Sequence, residues 1–224
     1  MKETALLTGL LTDDELIAKI INGEKALFEI LVRRHNDALY KIARSYGFNH
    51  QDAQDLLQDA HVAAYMQLSH FEHRASYKTW LCKILIHKCL YKLHYGYAKN
   101  EVPDSPVIQN DIQPQYASPT ERKVMNHELS KVLEESILKL SLPYRTVFVL
   151  REIEGFNVAE TAGLLGITDI NVKVRLNRAK VMLQKSLEQI YCSTDLFEFN
   201  LIYCDEVVHN VFKQINDKER ENEQ

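Results

Sequence analysis

The chain is punctuated for helices. Thr12-Asp13-Asp14-Glu15 has the form of a capping box, in which the Thr12 hydroxyl accepts from the Glu15 amide and the Glu15 carboxylate accepts from the Thr12 amide. Its three acids also stand where the helix dipole favours negative charge. Asn157-Val158-Ala159-Glu160 repeats the device. Around these marks apolar residues recur every three or four positions, and no segment of the first half alternates at period two for long enough to be a strand. Only 7 Gly and 5 Pro occur among 224 residues, about half of average usage or less. That shortage excludes turn-dense all-β folds and collagen-like or low-complexity chains, so an all-α fold is expected.

Caps and stops divide the first half into four helices. Leu16, Ile17, Ile20 and Ile21 follow the first box, and Gly23 closes a short helix. A second runs from about Glu24 to Tyr46, with Leu27, Phe28, Leu31, Leu39, Ile42 and Ala43 as its apolar stripe and Gly47 as C-cap. Asn49 caps a third, whose inner face is Ala53, Leu56, Leu57, Ala60, Ala63 and Ala64. Ser76 caps a fourth, with Tyr77, Trp80, Leu81, Ile84, Leu85 and Tyr91 inward, ending near Gly96. Trp80 sits on that stripe and is read as core.

Four of the five prolines then fall between Pro103 and Pro119, among Asp, Asn, Gln and Ser without helical period. This is the composition of a flexible linker. The expected organisation is two helical domains, residues 12–97 and 119–190, joined by a linker at 98–118 and followed by a short C-terminal extension, 191–224. The second domain starts sharply. Ser118-Pro119-Thr120-Glu121 combines an N-cap, proline at the first helical position and a capping-box Glu. Leu129, Val132, Leu133, Ile137, Leu138 and Leu140 supply its first core face, and Pro143 opens a helix through Ile153 that Gly155 ends. Val158 to Leu165 makes barely two turns before Gly166, and Thr168 caps a long helix reaching about Ile190. A short helix, a glycine turn and a longer basic helix outline a helix-turn-helix.

The formal net charge of −4 conceals strong local imbalance. From His70 to Lys99 six Lys/Arg face one acid, and from Thr168 to Lys185 five face one. The tail from Tyr191 carries eight acids and three bases. Two basic stretches in an acidic chain point to two places where a polyanion binds.

Several function classes drop out. Neither GxGxxG nor GxxxxGK[ST] nor GxSxG occurs, and the acids serve as caps and helix faces rather than as a paired constellation, so no enzyme activity and no cofactor are expected. Cys82, Cys89, Cys192 and Cys204 form no CxxC pair, and are read as free buried thiols. His70 and His73 lack any HExxH or Cys/His context, so no metal is expected either. The longest apolar run, Val62 to Met66, is far short of a membrane span, and the start meets Asp13 and Asp14 with no cleavage site. The chain is read as cytoplasmic, without membrane insertion.

In the last long helix Val172, Leu176, Ala179, Leu183, Leu187 and Ile190 form the core stripe at 100° per residue. Lys173, Asn177 and Lys180 lie on one flank, and Asn171, Arg175 and Arg178 on the other, with Val174 outward between them. Amide and guanidinium groups on a helix narrow enough for the major groove suit base edges and phosphates, and an outward Val suits a thymine methyl.

The run from Leu142 to Thr168, continuing through Val172-Lys-Val-Arg-Leu-Asn-Arg-Ala-Lys180, strongly resembles region 4 of bacterial RNA polymerase sigma factors of the extracytoplasmic-function group. Asp52-Ala-Gln-Asp-Leu-Leu-Gln-Asp59 resembles region 2.2 of that family, and Tyr77-Lys-Thr-Trp-Leu-Cys-Lys-Ile84 its region 2.3 to 2.4. Together these motifs cover roughly residues 12 to 190. The resemblance implies a protein that binds core RNA polymerase and recognises two promoter elements. Asp52, Asp55, Gln58 and Asp59 would contact polymerase, supported by Arg33 and Arg34. Arg74, Lys78, Lys83, His87, Lys88 and Lys92 would bind the minus-10 element, with the loop Phe71 to Ser76 where the family captures a flipped base. Thr168, Asn171, Lys173, Val174, Arg175, Arg178 and Lys180 would bind the minus-35 element. His87 stands where Asn is usual and Tyr91 where Asp is frequent, so the minus-10 sequence itself does not carry over.

Beyond Ile190, Phe197, Phe199, Leu201 and Tyr203 alternate with polar residues, and Asp205 caps a helix bearing Val207, Val208, Val211, Phe212 and Ile215. This face is expected to fold back on one of the domains, with the acidic tail shielding a basic surface, or else to receive an anti-sigma protein. Two other functions compete with the resemblance: a helix-turn-helix regulator acting without polymerase, and an interaction protein that only sequesters partners. The acidic helix edge and the first basic stretch speak against the former, and Lys173, Arg175 and Arg178 against the latter.

Overall fold

The structure, a computed structural model, describes residues 11–98, 121–190, 208–211 and 213. Its described residues form helices and turns, with no strand among them. Of the expected linker at 98–118 only Ala98 is described, as the last residue of a helix; the rest of it and most of the extension, including Asp205 and the alternating run from Phe197 to Tyr203, lie outside the described residues. The chain divides into two compact units, Met1–Leu183 and Gln184–Gln224. In the latter, residues 208–211 and 213 are helical, with Val208 and Val211 exposed.

In the first half, α1 (Asp13–Ile21) starts on the capping box read from the sequence. The Glu15 amide donates to Thr12 Oγ1 at 3.3 Å and the Thr12 amide to Glu15 Oε2 at 2.7 Å. The Thr12 amide, together with the Thr12 hydroxyl 2.9 Å from Glu15 Oε2, holds the Glu15 carboxyl below its ordinary range. A 3₁₀ turn, Lys25–Leu27, leads into α2 (Phe28–Ser45). Helix α3 (His50–Met66) is capped by Asn49, whose side chain accepts from the Asp52 amide at 2.8 Å. Helix α4 (Tyr77–Ala98) is capped by Ser76, which accepts from the Thr79 amide at 3.1 Å. It runs through Gly96 rather than ending there, because one glycine weakens a helix interior by only about 1 kcal/mol.

The core forms where these stripes meet. Leu16, Ile17, Leu31, Leu39, Ile42, Leu81 and Leu85 are wholly or almost wholly buried. Trp80 packs partly buried against this cluster, as its stripe position implied. Two inward assignments fail in the first half: Ile21 is 51% and Tyr91 71% exposed. Both lie at the edge of the buried face of their helix, turned away from Leu16, Ile20, Leu85 and Cys89.

In the second half, α5 (Glu121–Leu138) is followed by α6 (Leu142–Phe148), which widens into a π turn over Val149–Ile153. Leu133 in α5 is 40% exposed, not core. Helix α7 (Val158–Leu165) keeps its capping box, with Asn157 Oδ1 accepting from Glu160 and the Asn157 amide donating to Glu160 Oε2. Gly166 ends it at φ +64°, a left-handed geometry that favours glycine. The Thr168 hydroxyl caps α8 (Asp169–Ile190) by accepting from the Asn171 amide. Ile137, Leu140, Val149, Ala179 and Leu183 form one small core of this half, and Val147, Ala162 and Val172 another.

The two helical halves, up to Leu183, fall in the first compact unit and pack together there. Leu150, Phe156 and Leu164 join the buried cluster built by α1 to α4. Arg145, 6% exposed, donates from Nε to the Ser45 carbonyl at 2.5 Å and from Nη1 to the Leu138 carbonyl at 2.7 Å. It therefore satisfies helix-end carbonyls in both halves, and its burial lowers its pKa.

Candidate nucleic-acid interface and docking groove

An open groove of about 1320 Å³ runs between α2 and α3. Phe28, Val32, Tyr65 and Met66 give it apolar walls, and Asp55 and Gln58 polar ones. Of the expected polymerase contacts, only Asp55 and Gln58 line it. Asp52 and Asp59 turn toward α4, where Asp52 Oδ1 lies 2.5 Å from Lys92 Nζ and Asp59 Oδ2 lies 4.0 Å from Lys88 Nζ. Arg33 pairs with Glu29 along its own helix at 2.7 Å, and Arg34 pairs with Asp13 at 2.5 Å. Burial alone would raise the Asp13 carboxyl, but hydrogen bonds from His35 and Arg34 overcome it and hold the pKa below the usual range. Arg34 thus ties α1 to α2. Met66 and Val62, 73% and 53% exposed, were absent from the sequence-based site. Their i, i+4 spacing on a helix already placed against a partner was the available signal.

His61 marks the inner wall of the groove. Its Nε2 donates to Asn36 Oδ1 at 2.9 Å, while buried Nδ1 has no partner. Burial pushes its pKa down to about 4 from an ordinary 6.5. The folded chain therefore resists protonation that the unfolded chain accepts, so this contribution is full above pH 6.5 and declines as the pH falls toward 4. The shift corresponds to about 3 kcal/mol of stability over that window. Denaturant titrations at pH 7 and pH 4.5 should show the loss, and His61→Gln should reduce it. An unchanged acid loss in that variant would assign the effect elsewhere.

The first basic stretch is divided by the fold. Lys83 and His87 are exposed on α4, and Arg74 is exposed in the preceding loop, where its Nε is 2.6 Å from Glu72 Oε2. Lys88 and Lys92 face the α3 acids. Lys78 lies against the second half: Nζ is 3.0 Å from Glu154 Oε2, donates to the Glu154 carbonyl at 3.0 Å, and sits 4.8 Å from the centroid of the Phe156 ring. The Glu154 side chain is 5% exposed and also lies 3.8 Å from Lys41. Thr79 donates to Glu160 Oε1 at 3.3 Å beside it. In the loop, His73 takes a positive φ of 55°, rests on Phe71 with centroids 4.5 Å apart, and lies 2.9 Å from Asp14.

The second basic stretch presents a nearly continuous outer face. Asn171, Lys173, Val174, Asn177, Arg178 and Lys180 are all exposed on α8, while Val172 and Ala179 are buried. Arg175 is half-buried. Lys180 pairs with Glu152 at 3.0 Å, and Arg178 Nη1 lies 3.5 Å from the Tyr144 hydroxyl. Among the described residues no group of three or more metal-binding side chains occurs, and no helix is long and apolar enough to cross a membrane.

Two family descriptions match in order along the chain, Sigma-70 region 2 over residues 31–95 and Sigma-70 region 4 over residues 130–183. The chain is 28% identical over 176 residues to the ECF RNA polymerase sigma factor SigM of Mycobacterium tuberculosis, covering 79% of this chain and 85% of that protein. It is similar to the solved structure of CnrH in complex with the cytosolic domain of CnrY, with TM-score 0.53, 27% identity, and coverage of 78% of this chain and 96% of that one. It shares the fold of the sigma factor RpoE, solved with the anti-sigma factor NepR from Bartonella quintana, with TM-score 0.59 at 24% identity over 72% of this chain and 96% of that one.

Proposed function

Since this chain belongs to the sigma-70 family, as a factor of the extracytoplasmic-function group, we propose that its two helical domains divide the work of promoter-specific transcription initiation between polymerase docking and DNA reading. It is not an enzyme; it binds core RNA polymerase and promoter DNA. Residues 12–97 form the docking and minus-10 domain, 119–190 the minus-35 domain. Asp55 and Gln58 act from the α2/α3 groove, with Asp52, Asp59, Arg33 and Arg34 around it. Arg74, Lys83 and His87 meet the minus-10 strand first, followed by Lys78, Lys88 and Lys92. Thr168, Asn171, Lys173, Val174, Arg175, Arg178 and Lys180 serve the minus-35 element. This work is done on the chromosome, hence in the cytoplasm. An anti-sigma protein is a fitting regulator.

The observation that carries this reading is the coexistence of an acidic and apolar docking groove with the basic outer face of α8 and, apart from it, exposed Arg74, Lys83 and His87. A regulator that acts without polymerase needs no such groove. Run-off transcription with purified core polymerase on a promoter library tests it: initiation confined to a subset of promoters is expected. Tight DNA binding without initiation would favour the simple regulator, and no DNA binding a sequestering protein.

A further inference from the structure

His73, in the loop from Phe71 to Ser76, is the one residue other than glycine that takes a positive φ among the described residues. Left-handed backbone is costly for a residue with a Cβ, and it persists where surrounding contacts hold it, most often at working sites. Two contacts hold His73. Its ring rests on Phe71, which is 8% exposed and has its own ring centroid 5.0 Å from that of Trp80 and 5.9 Å from that of Tyr77. Its Nδ1 lies 2.9 Å from Asp14 Oδ1, in the first turn of α1. The adjacent Asp13 fixes that turn, since its carboxylate meets both Arg34 Nη1 and His35 Nε2 of α2. The rest of the loop is less tied. Glu72 and Arg74 pair with each other and are exposed, and Ser76 turns to its own helix as the α4 cap. Among the described residues, the contact of Asp14 with His73 is the one hydrogen bond that joins the loop interior, Glu72 to Ala75, to another element.

We propose that Asp14 is a positioning residue for promoter opening: through His73 it holds the loop from Phe71 to Ser76 in the shape that receives an unstacked base. The proposal rests on residues 12–97 being the minus-10 domain. It brings in α1, which lies ahead of the residues matched by Sigma-70 region 2, 31–95. A loop that is already ordered spares the incoming strand the cost of ordering it, so its anchor strengthens capture without touching DNA. The sign of the charge separates this role from direct contact. A carboxylate beside a phosphate strand repels it, so an Asp14 that merely stood near the DNA would weaken binding, and its removal would strengthen it. As the anchor of His73, Asp14 has the opposite effect: its removal frees the loop and weakens capture. Neither side chain belongs to the core, as Asp14 is 71% and His73 50% exposed. Loss of their contact therefore acts on the loop and not on the helix bundle.

The test uses the full-length protein assembled with core polymerase, on promoters enriched from a random DNA library. 2-Aminopurine is placed in turn at each position of the minus-10 element, where its fluorescence rises when it leaves the stack. In the parent holoenzyme at least one position should brighten. Asp14→Ala should lower both that signal and the yield of open complex about threefold at subsaturating factor, within the range of one exposed charge pair. His73→Gly takes the same φ without strain and without a side chain. It should therefore lose as much as Asp14→Ala, and the double variant should lose no more than either single one. All three should melt with the parent. Unchanged or stronger opening in Asp14→Ala, or a double variant whose loss is the product of the two single losses, would overturn the proposal. No brightening at any position in the parent, together with unchanged promoter opening in Arg74→Ala/Lys83→Ala, would instead overturn the minus-10 reading on which it rests.

Discussion

Asp55→Lys is expected to lower affinity for core polymerase by at least about tenfold, and to lower promoter-specific transcription in the same proportion, at subsaturating factor. Asp55 stands on the wall of the α2/α3 groove, where its carboxylate accepts from Gln51 Nε2 at 3.3 Å on the same helix and meets no cation among the ion pairs of the described residues. Its charge is therefore held for a partner rather than used in the fold. Asp52 and Asp59, by contrast, face Lys92 and Lys88. Reversal of a charge that becomes buried at an interface leaves two like charges facing each other, and loss of such a pair typically costs about 2–5 kcal/mol. Reversal at Asp59 should cost less in docking, because its side chain remains 70% exposed and shares its charge with Lys88. Glu188→Lys makes an equal charge change on α8 and should leave polymerase binding unaltered. Titration of labelled variants with core enzyme measures all three. Equal losses for Asp55 and Glu188 would mean that net charge, and not the groove, governs docking.

The helix plan was legible because its signals are local. Thr12, Asn49, Ser76, Asn157 and Thr168 each make the side-chain cap that their spacing implied. Gly23, Gly47, Gly155 and Gly166 all take positive φ at helix ends. The errors share one cause. Ile21, Tyr91 and Leu133 have apolar character that predicts burial, yet whether a neighbour covers them depends on distant parts of the chain. Gly96 reads as a stop in the sequence, and the described helix runs two residues past it to Ala98. The candidate site followed the same division. Periodicity placed Lys173, Val174 and Arg178 outward on α8, as found. It could not see that Lys78, Lys88 and Lys92, equivalent by charge, have separate partners, since those partners are 40 to 76 positions away for Lys92 and Lys78.

That division of the lysines has a consequence for DNA binding. Lys78 cannot hold a phosphate while its ammonium is engaged by Glu154 and lies over the Phe156 ring. The same packing places Leu150 in the core of the first domain. Covering of Lys78 and docking of the second domain are thus one event, held by a buried carboxylate and an apolar patch.

Glu154→Lys should therefore raise the affinity for a single-stranded minus-10 oligonucleotide by about tenfold. The carboxylate is 5% exposed between Lys78 and Lys41. A third cation in that place removes the anion that Lys78 and Lys41 share, while Asp37 is already paired with Lys41, and an uncompensated buried charge costs about 3–5 kcal/mol. The contact between the domains, not the helices, is the part that yields, so far-ultraviolet circular dichroism should change little while donor and acceptor dyes on α3 and α7 move apart. The substitution also adds two units of positive charge, which by itself strengthens DNA binding. Leu150→Ala separates the two causes. It removes about 2–5 kcal/mol of packing at a residue 1% exposed and changes no charge. If Leu150→Ala also raises oligonucleotide affinity and dye separation, uncovering of Lys78 is the cause. If only Glu154→Lys raises affinity, and the dyes stay together in both variants, the gain is Coulombic and Lys78 is no more available than before.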